Sequence, residues 1–169
     1  MNFALGIARH REPVDESIRG EYLQALRLIE RLHRLLLDVI KDEFDRTGFG
    51  DDLNSVQALL IYNIGDSELT AGELKTRGYY LGSNVSYNLK KLVEMGYIHY
   101  KRSDTDRRSV RVSLSAKGKQ ACEVVQKLYQ RQLGSVETVG EVGMDELKVL
   151  NKALVRLERF WSDQIRYRL

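Results

Sequence analysis

Apolar side chains recur at steps of three and four residues over two long stretches, one near each end of the chain. In residues 16–48 they form one continuous series: Ile18, Tyr22, Leu26, Ile29, Leu32, Leu36, Ile40 and Phe44. Near the other end the series is Met144, Leu147, Leu150, Leu154, Leu157, Trp161 and Ile165. This spacing places each series on one face of an α-helix. We therefore predict two long amphipathic helices, and we expect residues 1–15, which lack this periodicity, to form a flexible arm.

Between these two stretches the pattern predicts shorter helices with recognisable start signals. Asn54 with Gln57, and Thr70 with Glu73, have the spacing of a capping box, in which each side chain accepts a hydrogen bond from the other residue's backbone. The first pair begins SVQALLIYNI and the second begins TAGELKTRG. A third helix, SNVSYNLKKLVEMG, can be capped by Ser83. The short turn between the second and third of these helices predicts a helix-turn-helix.

Two strands and a further helix follow. Residues 97–102 and 109–114 are rich in side chains that suit a pleated surface, and the tip between them, SDTDRRS, is too highly charged for a core. Ser115 then caps the helix AKGKQACEVVQKLYQRQLGSV, and a break over residues 139–143 precedes the last helix. The predicted fold is mainly α with a small β-wing, in which a winged helix-turn-helix lobe of residues 53–118 is inserted between the long helices.

Charge is concentrated in this lobe. Residues 70–117 carry a net charge of +6, whereas the rest of the chain carries −3. A basic module in a slightly acidic chain is typical of a protein that binds a polyanion, although a solvated charged surface would give the same count. The third helix adds hydrogen-bonding side chains that could contact bases and phosphates in a DNA major groove: Ser83, Asn84, Ser86, Tyr87, Asn88, Lys90 and Lys91. The hairpin tip adds Arg107 and Arg108, of which at least one could enter the minor groove while Asp106 orients the other, although a solvated turn would explain these charges as well.

The helix ending LKKLVEMGYI, the turn RSDTDRRSVRVSLSAKG and the flanking long helices resemble the MarR family of bacterial transcription regulators. The family's wing pattern is Asp-x-Arg, a strand and then Leu-Ser/Thr-x-x-Gly, which residues 106–108 and 114–118 match. The resemblance covers nearly the whole chain. It implies a cytoplasmic homodimer joined through residues 16–48 and 119–169. It also implies a regulator, often a repressor, that binds double-stranded DNA at an operator and is released by a small ligand or an oxidant.

The resemblance also raises two candidate sites for the signal. A small aromatic or lipophilic effector could bind where the dimer helices meet the lobe, near His33, Tyr62, Tyr79 and Tyr80; packing in the core would explain the tyrosines equally well. Cys122, the only cysteine, is the candidate oxidant sensor. A sensor needs a site that stabilises the thiolate, and the alternative is a small buried apolar side chain.

Enzyme motifs and metal-ligand spacings are absent from the sequence. It has no GxSxG motif, no phosphate-binding loop and no paired catalytic set, and the three histidines have no metal-type spacing with cysteine or acids. We therefore expect no enzymatic activity, no metal and no cofactor. No apolar run is long enough to span a membrane, so we expect a soluble protein. The competing hypothesis is a winged helix that binds other proteins and not DNA.

Overall fold

The structure is a computed structural model that describes residues 16–78, 82–102 and 110–168, without the side chain of Ser83. The elements in chain order are α1 (Glu16–Thr47), α2 (Ser55–Ile64), β1 (Leu69–Thr70), α3 (Ala71–Gly78), α4 (Gly82–Glu94), β2 (Ile98–Arg102), β3 (Val110–Leu114), α5 (Ala116–Leu133) and α6 (Met144–Tyr167). The fold is mainly α with a small β-wing, as the sequence predicts. The predicted flexible arm and the tip of the wing lie outside the described residues.

The three strands form one antiparallel sheet in the order β1-β3-β2. Ile98 lies opposite Leu114, and Tyr100 and Leu69 lie on either side of Val112. The sequence predicted β2 and β3 but not β1, because a strand of two residues is too short to show alternation. β1 places the start of α3 directly beside the sheet, so the helix-turn-helix and the wing form one unit.

The buried apolar side chains of the described residues form one hydrophobic core, which joins the lobe to the end of α1 and to α5. It runs from Ile40 near the end of α1 to Leu128 in α5, and its largest fully buried side chains include Phe44 and Tyr97. Among the described residues, neither the first part of α1, residues 16–39, nor any part of α6 contributes a buried side chain. The molecule therefore consists of a packed lobe and two long helices whose apolar stripes are largely uncovered.

The predicted starts of α2 and α3 are confirmed, whereas α4 begins at Gly82, one residue before Ser83, which was predicted to cap it. Asn54 Oδ1 accepts a hydrogen bond from the Gln57 backbone at 2.9 Å, and Gln57 Oε1 accepts one from the Asn54 backbone at 3.1 Å. Thr70 and Glu73 form the same reciprocal pair, with the Thr70 backbone N–H donating to Glu73 Oε2 at 2.6 Å and the Glu73 N–H donating to Thr70 Oγ1 at 3.1 Å. Each box satisfies two backbone donors that a helix start leaves without partners.

The predicted end of α5 is wrong. The sequence extended α5 to residue 136, but the helix ends at Leu133 and turns follow. Ser135 lies in the first of these turns, where its hydroxyl donates to the Gln132 carbonyl oxygen at 3.3 Å. Such a local hydrogen bond competes with continued helix formation. The turns lead from α5, on the lobe, into α6.

The start of α5 is joined tightly to the lobe. The Ser115 backbone donates to the Tyr97 carbonyl oxygen at 3.0 Å, and Ser115 Oγ accepts from the Gly118 N–H at 3.1 Å. Tyr97 Oη and Lys117 Nζ both donate to Asp52 Oδ2, at 3.1 and 2.9 Å. The hydrogen bond from Lys117, followed by the one from Tyr97, lowers the pKa of Asp52. These contacts tie α5 to the α1–α2 loop and to the start of the wing.

Candidate DNA interface

The most promising surface lies on α4, the second helix of the helix-turn-helix. Val85, Leu89 and Leu92 are buried in the core, so they fix the rotation of the helix about its axis. The opposite face is open and carries these exposed side chains: Asn84, Ser86, Tyr87, Lys90 and Lys91. Tyr87 is the only aromatic residue in the sequence of α4, and 62% of its surface is exposed. The arrangement matches a recognition helix that presents one face to a DNA groove.

Asn88 requires a correction. The sequence analysis placed it among the DNA contacts, but it is 8% exposed and its Nδ2 donates to the Asn84 carbonyl oxygen at 2.9 Å. Position 88 lies about one turn after Val85 and one turn before Leu92, next to both of them on the buried side of α4. Its amide is therefore a buried group satisfied within the helix and does not lie on the exposed face.

Glu94, which the sequence analysis did not include, contacts both lysines of α4. Lys90 Nζ lies 4.0 Å from Glu94 Oε1, and Lys91 Nζ lies 3.2 Å from Glu94 Oε2. All three side chains are substantially exposed. The spacing of three and four residues along a helix would have indicated these pairs. The two cations predicted to contact phosphates are thus already paired with a carboxylate.

An apolar groove of about 470 Å³ runs between α4 and β2. Leu89 and Val93 line it on the α4 side, and the half-exposed ring of Tyr100 lines it on the β2 side. Lys90 and Glu94 also line it. Tyr100 did not stand out in the sequence, because its position beside α4 depends on the pairing of the strands.

The wing extends from this groove on two strands with exposed cations. Lys101 and Arg102 are exposed on β2, and Arg111 is exposed on β3. Lys101 lies directly opposite Arg111 in the antiparallel register. Arg107 and Arg108, of which at least one is predicted to enter a minor groove, lie outside the described residues, as does Asp106, which is predicted to orient one of them. The strands that lead to them are nevertheless basic.

The candidate effector residues are only partly described. Tyr62 is half-buried and packs edge-on against Tyr129, with ring centroids 5.1 Å apart. His33 is exposed on α1. Tyr79 and Tyr80 lie outside the described residues, and Ser83 of α4 has no described side chain. The effector pocket remains a prediction, while Tyr62 itself also packs against the core.

Cys122 lies in an environment unlike that of an oxidant sensor. It is 4% exposed and belongs to the hydrophobic core. Burial raises the pKa of its thiol, and the nearby carboxylates of Asp66 and Glu123 raise it further. Since the thiolate is the form that oxidants attack, this site suppresses the reaction that a sensor needs. The structure thus argues against the redox prediction and fits the alternative, a small buried apolar side chain.

Within the described residues, no group of three or more histidine, cysteine, aspartate or glutamate side chains could hold a metal ion. No helix in the same part of the chain is both long enough and apolar enough to cross a membrane.

Comparison with known proteins bears on the lobe and on the whole chain. A family model described as a winged helix DNA-binding domain matches residues 53–118. The exopolysaccharide II synthesis transcriptional activator ExpG of Rhizobium meliloti (strain 1021) is 36% identical over 149 residues, which cover 86% of this chain and 74% of that protein.

Solved structures share the fold. The transcriptional regulator SlyA has a TM-score of 0.72 at 18% identity, over 86% of this chain and 99% of its own. A mutant of MarR from E. coli in complex with operator DNA has a TM-score of 0.66 at 22% identity, over 82% and 96%. FabT from Streptococcus pneumoniae in complex with DNA has a TM-score of 0.61 at 23% identity, over 88% and 99%.

The lobe, the exposed face of α4 and these similarities together define a class: a winged helix protein that binds DNA and regulates transcription, and not an enzyme. Within that class, the chain belongs to the MarR family of transcription regulators.

Proposed function

We propose that this protein is a cytoplasmic homodimeric regulator that binds a near-palindromic operator and needs no metal or cofactor. The observation that carries the proposal is the exposed polar face of α4, held in position by a buried stripe and flanked by the basic strands of the wing. A module that bound only other proteins would not need this concentration of positive charge.

The uncharged and the charged side chains of α4 would make different kinds of contact with DNA. Asn84 and Tyr87 are uncharged and exposed, so they suit contacts to base edges. Lys90 and Lys91 suit phosphates, whose contacts supply affinity without sequence information. The arginines at the tip of the wing would enter an adjacent minor groove.

The uncovered stripe of α6 supports the dimer. This helix has 24 residues and no buried side chain, and Leu150, Leu154 and Ile165 are all exposed. Together with Ile29 of α1, α6 lines a mainly apolar groove of about 670 Å³. The indole N–H of Trp161 donates to Tyr22 Oη at 3.3 Å and so joins the two helices. An amphipathic helix gains most of its stability from packing its apolar face, so we infer that a second copy covers this face.

The signal and the outcome of binding belong to the same proposal. A small aromatic or lipophilic effector would weaken DNA binding if it bound the dimer geometry that cannot engage DNA more tightly than the geometry that can. The sequence analysis expected a repressor, whereas ExpG is named as an activator. The same dimer can do either, depending on where its operator lies relative to the promoter. Genes for polysaccharide synthesis are the first candidate targets, because the name of ExpG refers to them.

Footprinting and electrophoretic shifts test this function. The purified protein is incubated with its own upstream DNA and with promoters of polysaccharide-synthesis genes. We expect a footprint with two-fold symmetry and half-sites about one helical turn apart. A reporter placed behind the same operator shows whether expression falls or rises. Failure to protect any sequence would favour the module that binds proteins, and protection of one asymmetric half-site would contradict the dimer.

A further inference from the structure

An acidic side chain is unexpected at the C-terminal end of α4, where Glu94 lies. It is the last residue of the helix and the only acidic one, and Lys90 and Lys91 are the only cations. Each carboxylate oxygen faces one lysine, Oε1 at 4.0 Å from Lys90 Nζ and Oε2 at 3.2 Å from Lys91 Nζ. A single carboxylate therefore pairs with every cation of the helix that is expected to meet DNA.

Stabilisation of the helix is a poor explanation for this arrangement. The C-terminal end of a helix carries partial negative charge, so an acid there is unfavourable, while the first turn of α4 has no acid at all. The order of the pairs, with lysine N-terminal to glutamate, is also the weaker of the two orders. Pairs as exposed as these contribute little to stability in general. The position of Glu94, the order of its pairs and their exposure therefore suggest a role other than stabilising the helix.

We propose that Glu94 is an internal competitor of the DNA phosphates for Lys90 and Lys91, and so limits the electrostatic part of DNA affinity. This inference rests on the proposed role of α4. In the free protein the carboxylate takes the place that a phosphate oxygen takes in the complex. A lysine that moves to the backbone weakens its pairing with Glu94, and this loss offsets part of the favourable energy of the new contact. Asn84 and Tyr87 do not contact Glu94 in this way, so base reading is unaffected.

A limit on DNA affinity makes it easier for an effector to release the protein from DNA. Release of counterions gives phosphate contacts a large and sequence-independent affinity. A regulator that an effector must remove from DNA works only if that affinity is limited, because a ligand can shift an equilibrium only by its differential affinity for the two states. Glu94 would supply such a limit at the position where α4 meets the backbone.

Replacement of the carboxylate by a neutral amide tests the proposal. Glu94→Gln should tighten binding at low salt by about three- to tenfold, judged from the strength of two exposed ion pairs. The salt dependence should steepen by up to about one unit. The factor should be the same for the operator duplex and for a scrambled duplex of equal length. Glu94→Ala removes the same charge and should behave alike, while melting temperatures confirm folding.

Glu123→Gln is the matched control. Glu123 pairs with Lys127 at 3.3 Å, four residues further along α5, and both side chains are exposed. The substitution therefore removes the same charge and the same kind of pair away from α4. It should leave DNA affinity and salt dependence near the values of the unaltered protein. An equal tightening by Glu123→Gln would mean that net charge alone explains the effect, and would overturn the proposal.

A double-mutant cycle separates competition from simple repulsion. If Glu94 acts through the lysines, Glu94→Gln should have no effect in a protein that also carries Lys90→Ala and Lys91→Ala. If Glu94→Gln still tightens DNA binding in that protein, Glu94 repels phosphates directly. If the tightening differs between operator and scrambled DNA, Glu94 affects base reading. Either result overturns the proposal. If the two lysine substitutions alone leave affinity unchanged, the proposed DNA role of this face fails. If they weaken binding and Glu94→Gln changes nothing, only the inference about Glu94 fails.

Discussion

At the scale of single residues, charged and uncharged side chains on α4 should have separable effects on DNA binding. Lys91→Ala should weaken binding to all sequences alike and reduce the salt slope by about one unit. Tyr87→Ala should change the preference among operator variants and leave the salt slope nearly intact, because the side chain is uncharged. The measurement is affinity for a panel of operator variants at several salt concentrations.

Lys127 provides a control for both substitutions on α4. Lys127→Ala removes an exposed cation from α5, away from α4, and should alter neither quantity. If Tyr87→Ala changed the salt slope but not the preference, the assignment of Tyr87 to base reading would be wrong.

Cys122 should behave as a buried thiol. Burial raises its pKa, so the unfolded chain ionises at lower pH than the folded protein does. Its contribution to stability is complete below the unfolded value, about 8.5, and is lost as pH rises through the folded pKa. A disulfide reagent at pH about 8 should therefore react slowly with the native protein and quickly in denaturant. Absorbance of the released thiol measures both rates.

DNA affinity measured before and after treatment with peroxide tests whether Cys122 acts as an oxidant sensor. DNA affinity should be the same before and after treatment, and Cys122→Ser should respond as the unaltered protein does. A loss of affinity that occurs only with the cysteine present would restore the oxidant sensor.

At the scale of elements, the join between the wing and α5 explains why Gly118 completes the wing pattern. A methyl group at this position would overlap the Tyr97 carbonyl oxygen. Gly118→Ala should therefore lower the free energy of unfolding by about 1–3 kcal/mol, the usual range for overpacking. Gly20→Ala is the matched control, because nothing lies within 4 Å of the added methyl group on α1. That substitution should be neutral or stabilise by about 0.5–1 kcal/mol.

Urea denaturation of both variants measures these changes. Equal stability of Gly118→Ala and the unaltered protein would mean that α5 can move away from Tyr97, and that the join is looser than its hydrogen bonds indicate.

At the scale of the whole molecule, the dimer depends on the stripe of α6. Leu154→Glu places a charge in the apolar groove that a partner would cover, and should convert the dimer to monomers. Lys152→Glu is the control, since helical geometry places position 152 on the opposite side of α6. Sedimentation equilibrium at micromolar concentration measures the mass, and DNA affinity should fall together with it. A monomeric unaltered protein would rule out the proposed dimer.

Local signals in the sequence determined the elements and their order. The periodic apolar positions specify α1 and α6, and the capping pairs Asn54–Gln57 and Thr70–Glu73 specify where α2 and α3 begin. These features need only neighbours along the chain, because capping and helical periodicity act over three or four residues. The concentration of positive charge in the lobe is likewise a property of the sequence.

Tertiary structure alone decided which side chains of the candidate site are available. Asn88 is polar in the sequence, but the packing of Val85 and Leu92 turns it inward. Tyr100 and α4 line one groove only because β2, β3 and β1 pair as they do, and Cys122 is buried only because the core closes around it. Burial and contacts between distant segments arise when the chain packs, and for that reason short-range patterns determined the framework while folding selected the surface that we propose to contact DNA.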